Sequence, residues 1–356
     1  MSLHQLGWNP NLEAAFEPLR DRGLAPARVA RQDLDRYLLL DGSGERPARL
    51  AGRLRHAART PAERPAVGDW VAMRVATTAL IAAVLPRSSA FVRRAAGGVT
   101  VEQVLAANVD TALLVSGLDC DFNLRRLERY LAAARESGAS PVVVLNKADL
   151  LGGGELQRCV AEAGATAPGV PVVTVSALSA CGLEPLAPWL EARRTVALLG
   201  SSGVGKSTMV NALLGTRRQP TGTVRAADSR GRHVTSRREL VPLPGGALLI
   251  DTPGLRELGL WGGGDGLDGA FPDVVALGRG CRFRDCAHAD EPGCAVRAAV
   301  EAGELDPARL ESWRKLQREA RWLATRQDAR ARAAEEAKWK MISRSAKRHP
   351  KADRWR

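Results

Sequence analysis

Thr195–Leu199 is an unbroken apolar run, and it leads at once into Gly200-Ser201-Ser202-Gly203-Val204-Gly205-Lys206-Ser207-Thr208. No other feature of the 356 residues constrains the fold as strongly. The pattern fits GxxxxGK[ST]: glycines let backbone N–H groups turn inward around phosphates, Lys206 reaches the β- and γ-phosphates, and Ser207 ligates Mg²⁺. That chemistry requires a strand before the loop and a helix after it, a context that disfavours an ordinary Gly-rich turn. Further apolar strands at Thr111–Ser116, Pro141–Leu145 and Val170–Val175 alternate with helical spacing. The helices are expected over Asn123–Ser137 (Leu124, Leu127 and Leu131 on one face), Glu155–Ala163, Leu183–Ala192 and Met209–Leu214. Fully apolar strands between helices imply a parallel sheet covered on both faces. Glu239–Leu243 with Ala247–Ile250 reads as a hairpin, and Gly262–Gly269 as a loop.

Three further segments follow apolar strands. Asp251-Thr252-Pro253-Gly254 puts a carboxylate at a strand end, where it can hold Mg²⁺ through water while the Gly254 N–H meets a γ-phosphate. Asn146-Lys147-Ala148-Asp149 resembles a guanine-reading motif. The Asp149 carboxylate can accept from both N1–H and the N2 amine of guanine, a pair of donors that adenine does not offer. Asn146 and the Lys147 stem would support the base. Ser176-Ala177-Leu178 resembles the short loop that supports the same base through a backbone N–H. The chain order is unusual, because the base-reading segments precede the phosphate loop. Such a circular permutation is acceptable when the site is assembled at the carboxyl ends of strands in one closed core. The alternative is two unrelated partial sites.

The flanks differ in texture. Residues 1–30 read as an N-terminal extension. Between Arg31 and Pro86, short strands at Tyr37–Leu40, Ala48–Leu54, Trp70–Val75 and Ala79–Val84 are separated by turns such as Asp41–Gly44, which suggests a small barrel or sandwich. An oligonucleotide-binding (OB) type of barrel matches the size. Beyond Phe271, Cys281, Cys286, His288 and Cys294 form Cys-x₄-Cys-x-His-x₅-Cys, the donor set of a structural Zn²⁺ site with no open position for catalysis. Asp285, Asp290 and Glu291 compete poorly beside thiolates, and Cys120, Cys159 and Cys181 read as ordinary thiols.

Charge adds a partner. The net charge is +13, yet Ser312–Arg356 alone holds 15 basic and 5 acidic residues. A basic arm on a nearly neutral body suggests a polyanion, nucleic acid before membrane. Trp313 and Trp322 are expected to pack on the zinc domain, and Lys338–Arg356, with Trp339 and Trp355, to order on RNA. No apolar run approaches the ~18–20 residues of a membrane-spanning helix, and Met1–Trp8 does not read as a signal peptide, so a cytoplasmic address is expected.

On these segments, together with Gly231-Arg232-His233-Val234-Thr235, the chain resembles the ribosome small subunit-dependent GTPase A family of bacterial circularly permuted GTPases, over nearly its whole length. The resemblance implies a multidomain fold: an all-β OB-type barrel, an α/β circularly permuted P-loop GTPase core and an α-helical zinc-binding C-terminal domain. The corresponding spans are 1–30 (extension), 31–100, 101–275 and 276–356. It implies GTP hydrolysis stimulated by the small ribosomal subunit and its rRNA during late subunit maturation, one structural Zn²⁺, Mg²⁺ with GTP, no membrane and a monomeric state. The implied GTP-binding residues are Asn146, Lys147, Ala148, Asp149, Ser176, Ala177, Leu178, Gly200–Thr208, Thr235, Asp251 and Gly254, with Ser207 and Thr235 on Mg²⁺. The family's switch segment usually reads His-Thr-Thr-Thr, and here Val234 and Ser236 occupy two of those places. Thr235 is then assigned to Mg²⁺ and the γ-phosphate, with Ser236 as a substitute. Leu255 stands where Ras-type enzymes carry a water-orienting Gln. His233 is the candidate for helping the attacking water; the competing reading is a solvated loop histidine. Two rivals are an RNA-binding protein with an inert nucleotide site, and a nucleotide kinase or ATPase, against which Asn146–Asp149 speaks.

Overall fold

The computed structural model describes residues 1–94, 102–119, 121–216, 238–251 and 265–322. Five short strands lie near the amino terminus: β1 (Ala25–Asp33), β2 (Arg36–Asp41), β3 (Gly44–Leu50), β4 (Trp70–Arg74) and β5 (Ala79–Val84). They pair in the order β1-β2-β3-β5-β4, and β4 returns to β1, closing a five-stranded barrel. Inward-facing Ala27, Val29, Tyr37, Leu39, Val71, Met73 and Ile81 fill it. The Asp41 carboxylate accepts the N–H groups of Ser43 (2.8 Å) and Gly44 (3.0 Å), which fixes the expected turn between β2 and β3.

Two expectations change here. The segment read as an N-terminal extension contributes β1, and before it α1 (Pro10–Arg20), whose Asn9 cap accepts the Leu12 N–H at 3.1 Å. Leu6, Trp8 and Phe16 are buried with Trp70, and the Trp8 and Trp70 rings lie 4.8 Å apart. That burial is tertiary, so no local periodicity announces it. The strand expected over Ala48–Leu54 stops at Leu50, and α2 (Gly52–Ala57) follows. An unforeseen two-stranded sheet, β6 (Ala90–Arg94) with β7 (Glu102–Ala107), comes next.

The larger layer contains β8 (Thr111–Gly117), β9 (Ser140–Asn146), β10 (Val172–Val175), β11 (Thr195–Leu199), β12 (Arg238–Pro242) and β13 (Leu248–Asp251). Its order is β10-β9-β8-β11-β13-β12; the first five strands run parallel and β12 antiparallel. Helices α3 (Leu124–Ser137), α4 (Gly153–Thr166) and α5 (Lys206–Leu214) connect them. Successive residues of β8 and β9 enter different buried clusters, Leu114 and Val143 in one, Leu113 and Val142 in the other. This is the two-sided burial that the apolar runs predict. The helix expected over Leu183–Ala192 is only a 3₁₀ turn, Glu184–Trp189; Pro185 is tolerated in its first turn, but Pro188, inside it, lacks the N–H that an α-helix would bond to the fourth carbonyl back.

Barrel and core share one sheet, since β12 pairs with β1 through Arg31↔Glu239 and Gln32↔Arg238. Arg28, 1% exposed, stitches the junction beneath. Its guanidinium donates to the carbonyls of Leu6, Gly68 (3.2 Å) and Asn108 (3.1 Å) and to Thr195 Oγ1 (2.9 Å). Burial lowers its pKa to about 10, so it stays charged at neutral pH.

The C-terminal part contains α6 (Asp265–Ala270), α7 (Pro272–Gly278), α8 (Ala295–Glu301) and α9 (307–322). The loop expected at Gly262–Gly269 is therefore helical from Asp265; residues 262–264 lie outside the described residues. Close packing explains the glycine there: a Cβ on Gly266 would stand 2.6 Å from the Ala132 carbonyl of α3. No described helix is long and apolar enough to cross a membrane.

Candidate functional site

The carboxyl ends of β8, β9, β10, β11 and β13 share one edge of the sheet. Asn146 aligns with both Gly117 and Val175, Leu199 with Leu114, and Ala197 with Ile250. The loops carrying Asn146–Asp149, Ser176–Leu178, Gly200–Gly205 and Asp251 therefore leave from the same side. Asn146 binds three of these segments together. Its buried amide donates to the Val204 carbonyl at 2.8 Å and accepts from the Ala177 N–H at 3.0 Å. Gly205 permits this approach: at φ +93° it suits glycine, and a Cβ there would lie 2.3 Å from Asn146 Nδ2.

The predicted residues that are described stand on the segments leaving this edge. Lys206 opens α5, and its ammonium folds back over the loop to donate to the carbonyls of Gly200 (2.7 Å) and Ser201. Ser207 and Thr208 are half-buried in the first turn of the same helix, while Ser202 and Gly203 are exposed. Ser176 and Ala177 are buried, Ala148 is half-buried, and Leu178 is 84% exposed. Asp149 is exposed on the 3₁₀ turn Ala148–Leu150. Asp251, half-buried, ends β13. His233, Thr235, Ser236, Gly254 and Leu255 lie outside the described residues, as does Cys120.

Motif reading missed Asp119, Asp121 and Arg126. The Lys147 ammonium pairs with Asp119, and Asp121 accepts from the Ser201 hydroxyl while pairing with Arg126. Burial works to raise the Asp119 pKa, but the Lys147 hydrogen bond and charge outweigh it, with help from the Asp121 N–H, and hold it below the ordinary value. The available signal was positional: two carboxylates in a connection leaving a buried parallel strand at the edge where ligands bind.

A second cluster lies in the C-terminal part. The donor atoms of Cys281, Cys286, His288 and Cys294 lie within 4.8 Å of one another. Cys281 and Cys294 sulfurs are 3.9 Å apart, and each is 3.5 Å from His288 Nδ1. A tetrahedron with Zn–S of ~2.3 Å and Zn–N of ~2.0–2.1 Å has edges of about 3.8 Å (S–S) and 3.5 Å (S–N), so the donors present fit one zinc ion. Their electrostatics agree. Burial works against a Cys281 thiolate, but backbone N–H groups of Val296 and Ala295 hold its pKa below the ordinary value. Burial, with the neighbouring thiols, pushes Cys286 up to about 11, so three adjacent thiolates require a cation. Burial also lowers the His288 pKa, favouring the neutral, ligating imidazole.

Around the cluster, Trp313 is buried with its ring 5.1 Å from His288, as expected, whereas Trp322 is 44% exposed. Trp339, Trp355 and the Lys338–Arg356 arm lie outside the described residues. Arg309 docks α9 on the core. It pairs through two nitrogens with Asp273 and with Glu128 of α3 at 3.0 Å, and its guanidinium lies over the Phe271 ring at 4.7 Å.

With this geometry in place, the similarities to known proteins are informative. The family profile described as RsgA GTPase matches residues 84–261. A protein of Opitutus terrae named small ribosomal subunit biogenesis GTPase RsgA is 52% identical over 354 residues, covering 96% of each chain. A protein of the same name from Syntrophotalea carbinolica is 47% identical, covering 98% of each. Among solved structures, YjeQ from Thermotoga maritima superposes with a TM-score of 0.63 at 26% identity, over 83% of this chain and 98% of that one. YloQ, described as a circularly permuted GTPase, has the same fold, with a TM-score of 0.61 at 23% identity over 84% of this chain and 95% of that one.

Proposed function

Because the chain belongs to the RsgA GTPase family, we propose that it hydrolyses GTP in the biogenesis of the small ribosomal subunit. The observation that carries this reading is the Asn146 side chain, which ties the phosphate loop at Val204 to the Ser176–Leu178 loop at Ala177. A base-reading carboxylate and a phosphate loop joined by one buried amide can serve a single nucleotide, whatever their order along the chain.

In this reading Asp149 accepts from the guanine edge, the Ala177–Leu178 backbone supports the base, and Lys147 lies along it. Lys206 leaves the carbonyls of Gly200 and Ser201 to meet the β- and γ-phosphates. Backbone N–H groups from Ser202 to Thr208 line the phosphates, and Gly254 donates to the γ-phosphate. Ser207 and Thr235 would hold Mg²⁺, with Asp251 reaching it through water. The chemistry that Mg²⁺ would supply when bound is to offset the negative charge on the phosphate oxygens. His233 is the proposed partner of the attacking water, since Leu255 has no group to orient it. Cys281, Cys286, His288 and Cys294 would hold the zinc, which braces the C-terminal fold.

The partner is the small ribosomal subunit and, at the contact, its rRNA. Support comes from the relatives' names and from the basic excess of Ser312–Arg356. The protein acts as a monomer in the cytoplasm, where its substrate particles mature. Base specificity tests the site directly. Calorimetric titration should give GTP binding tighter than ATP by at least about a hundredfold, because a site built to pair donors rejects bases that lack them. Asp149→Asn should shift preference toward xanthosine triphosphate, whose C2 carbonyl can accept from the new amide. Equal affinity for GTP and ATP would refute the reading.

A further inference from the structure

Three groups close a ring at the mouth of the phosphate loop. Asp121 accepts from the Ser201 hydroxyl and pairs with Arg126, and Arg126 Nη1 donates to Ser201 Oγ at 2.8 Å. The Asp121 hydrogen bond raises the Arg126 pKa, so the guanidinium is held charged. Ser201 is the second residue of the loop, directly after Gly200, and its carbonyl is one of the two that receive the Lys206 ammonium. The ring thus fixes the segment from which Lys206 departs when phosphates arrive.

Arg126 stands in the first turn of α3, and the C-terminal part grips the same turns of that helix. Arg125 pairs with Asp306 at 2.9 Å, Glu128 with Arg309 at 3.0 Å, and Arg129 with Glu319 through two bonds of 2.9 and 2.7 Å. These residues stand one before, two after and three after Arg126. A hydrogen-bonded helix turn moves as a unit, so a shift of α3 under the C-terminal part carries Arg126 with it.

We propose that Arg126 is a positioning residue of the nucleotide site: with Asp121 it sets the phosphate loop at Ser201, and through α3 it makes the grip of the C-terminal part felt there. The proposal rests on reading Gly200–Thr208 as the GTP phosphate loop. Its physical content is pre-organisation. A loop already pinned at Ser201 spends less conformational entropy when it wraps the phosphates, so it binds them more tightly. Glu319 and Asp306 then act on nucleotide affinity although neither belongs to the site.

The test uses full-length, zinc-loaded protein titrated with fluorescent GDP and a non-hydrolysable GTP analogue, with melting temperatures measured alongside. Arg126→Gln and Ser201→Ala should each weaken binding about tenfold, the scale of one charge-assisted hydrogen bond. The double variant should lose no more than either alone, and Arg126→Lys should recover part of the loss. In turnover, KM should rise more than kcat falls. Glu319→Ala should weaken binding about threefold in the native background and not at all beside Arg126→Gln, a non-additivity that a direct link requires. Unchanged affinity in Arg126→Gln, or losses that merely track melting temperature, would overturn the positioning role. Equal effects of Glu319→Ala in both backgrounds would overturn the transmission through α3. Native protein that binds GDP no better than ADP would instead refute the underlying GTP reading.

Discussion

At the scale of single residues, the site depends on polar atoms that have no room to find other partners. Asn146→Ala would leave the Val204 carbonyl and the Ala177 N–H without their side-chain partner. Denaturant unfolding should show a loss of about 2 kcal/mol, the cost of stranding buried polar groups, together with weaker nucleotide binding. Asp273 supplies a pH signature. Burial works to raise its pKa, but the hydrogen bonds and charge of Arg309 outweigh burial and leave it below the ordinary value. A folded-state pKa below the unfolded one contributes stability above about pH 3.9 that disappears as pH falls through the folded value. Asp273→Asn should therefore flatten the acid limb of the stability curve below about pH 4; an unaltered limb would place the acid sensitivity elsewhere. Glu128, on the same guanidinium, is shifted upward, chiefly by burial, so it protonates earlier and leaves the Asp273 pair intact. Residues with motif identity, such as Asn146 and Lys206, were legible from spacing alone. Arg126, Arg309 and Arg28 were not, because each takes partners from segments distant in the chain, 75 positions away for Arg126, up to 181 for Arg309 and up to 167 for Arg28, and such an arginine looks in sequence like any surface cation.

At the scale of elements, apolar runs located the parallel strands well because burial on both faces leaves an uninterrupted signature. The helix expected from the spacing of Leu124, Leu127 and Leu131 is α3, and the structure adds its cap: the Asn123 side chain accepts the Arg126 N–H at 3.0 Å. Where the structure departs from the expected elements, a single residue type explains each of two cases. Pro188 limits a segment to a 3₁₀ turn, while Gly266, read as loop-forming, admits α6 against α3. The β6–β7 ribbon escaped notice because its strands are separated by more than a tight turn. The docking of α9 gives a prediction at this scale. Arg309→Met removes the ion-pair partner of Asp273 and leaves Glu128, which is 0% exposed, with Arg125 and the Ser312 hydrogen bond. Breaking such a buried pair should cost about 3–5 kcal/mol. Limited proteolysis should then cut within 307–322 before the core; unchanged resistance would mean that apolar packing of Trp313 and Leu316 suffices.

At the scale of the whole molecule, one sheet runs from the edge strand β10 through β12 into the barrel at β1. The strand order was not legible from local pattern, since pairing of β12 with β1 spans more than 200 residues and is decided by tertiary fit. The cluster of Cys281, Cys286, His288 and Cys294 gives a prediction at this scale. Metal analysis of unstripped protein should give one zinc per chain, and chelation should lower the melting temperature by releasing the Cys281–Cys294 loop that backs Trp313. Substoichiometric zinc would count against that site. The barrel and the core are thus joined through the paired strands β1 and β12, and the C-terminal part and the core through α3. The most direct test is phosphate release from GTP by the intact protein, measured with and without purified small ribosomal subunits. The expected result is slow turnover alone and a marked acceleration with subunits, absent when ATP replaces GTP; turnover indifferent to the subunits would contradict a role in their biogenesis.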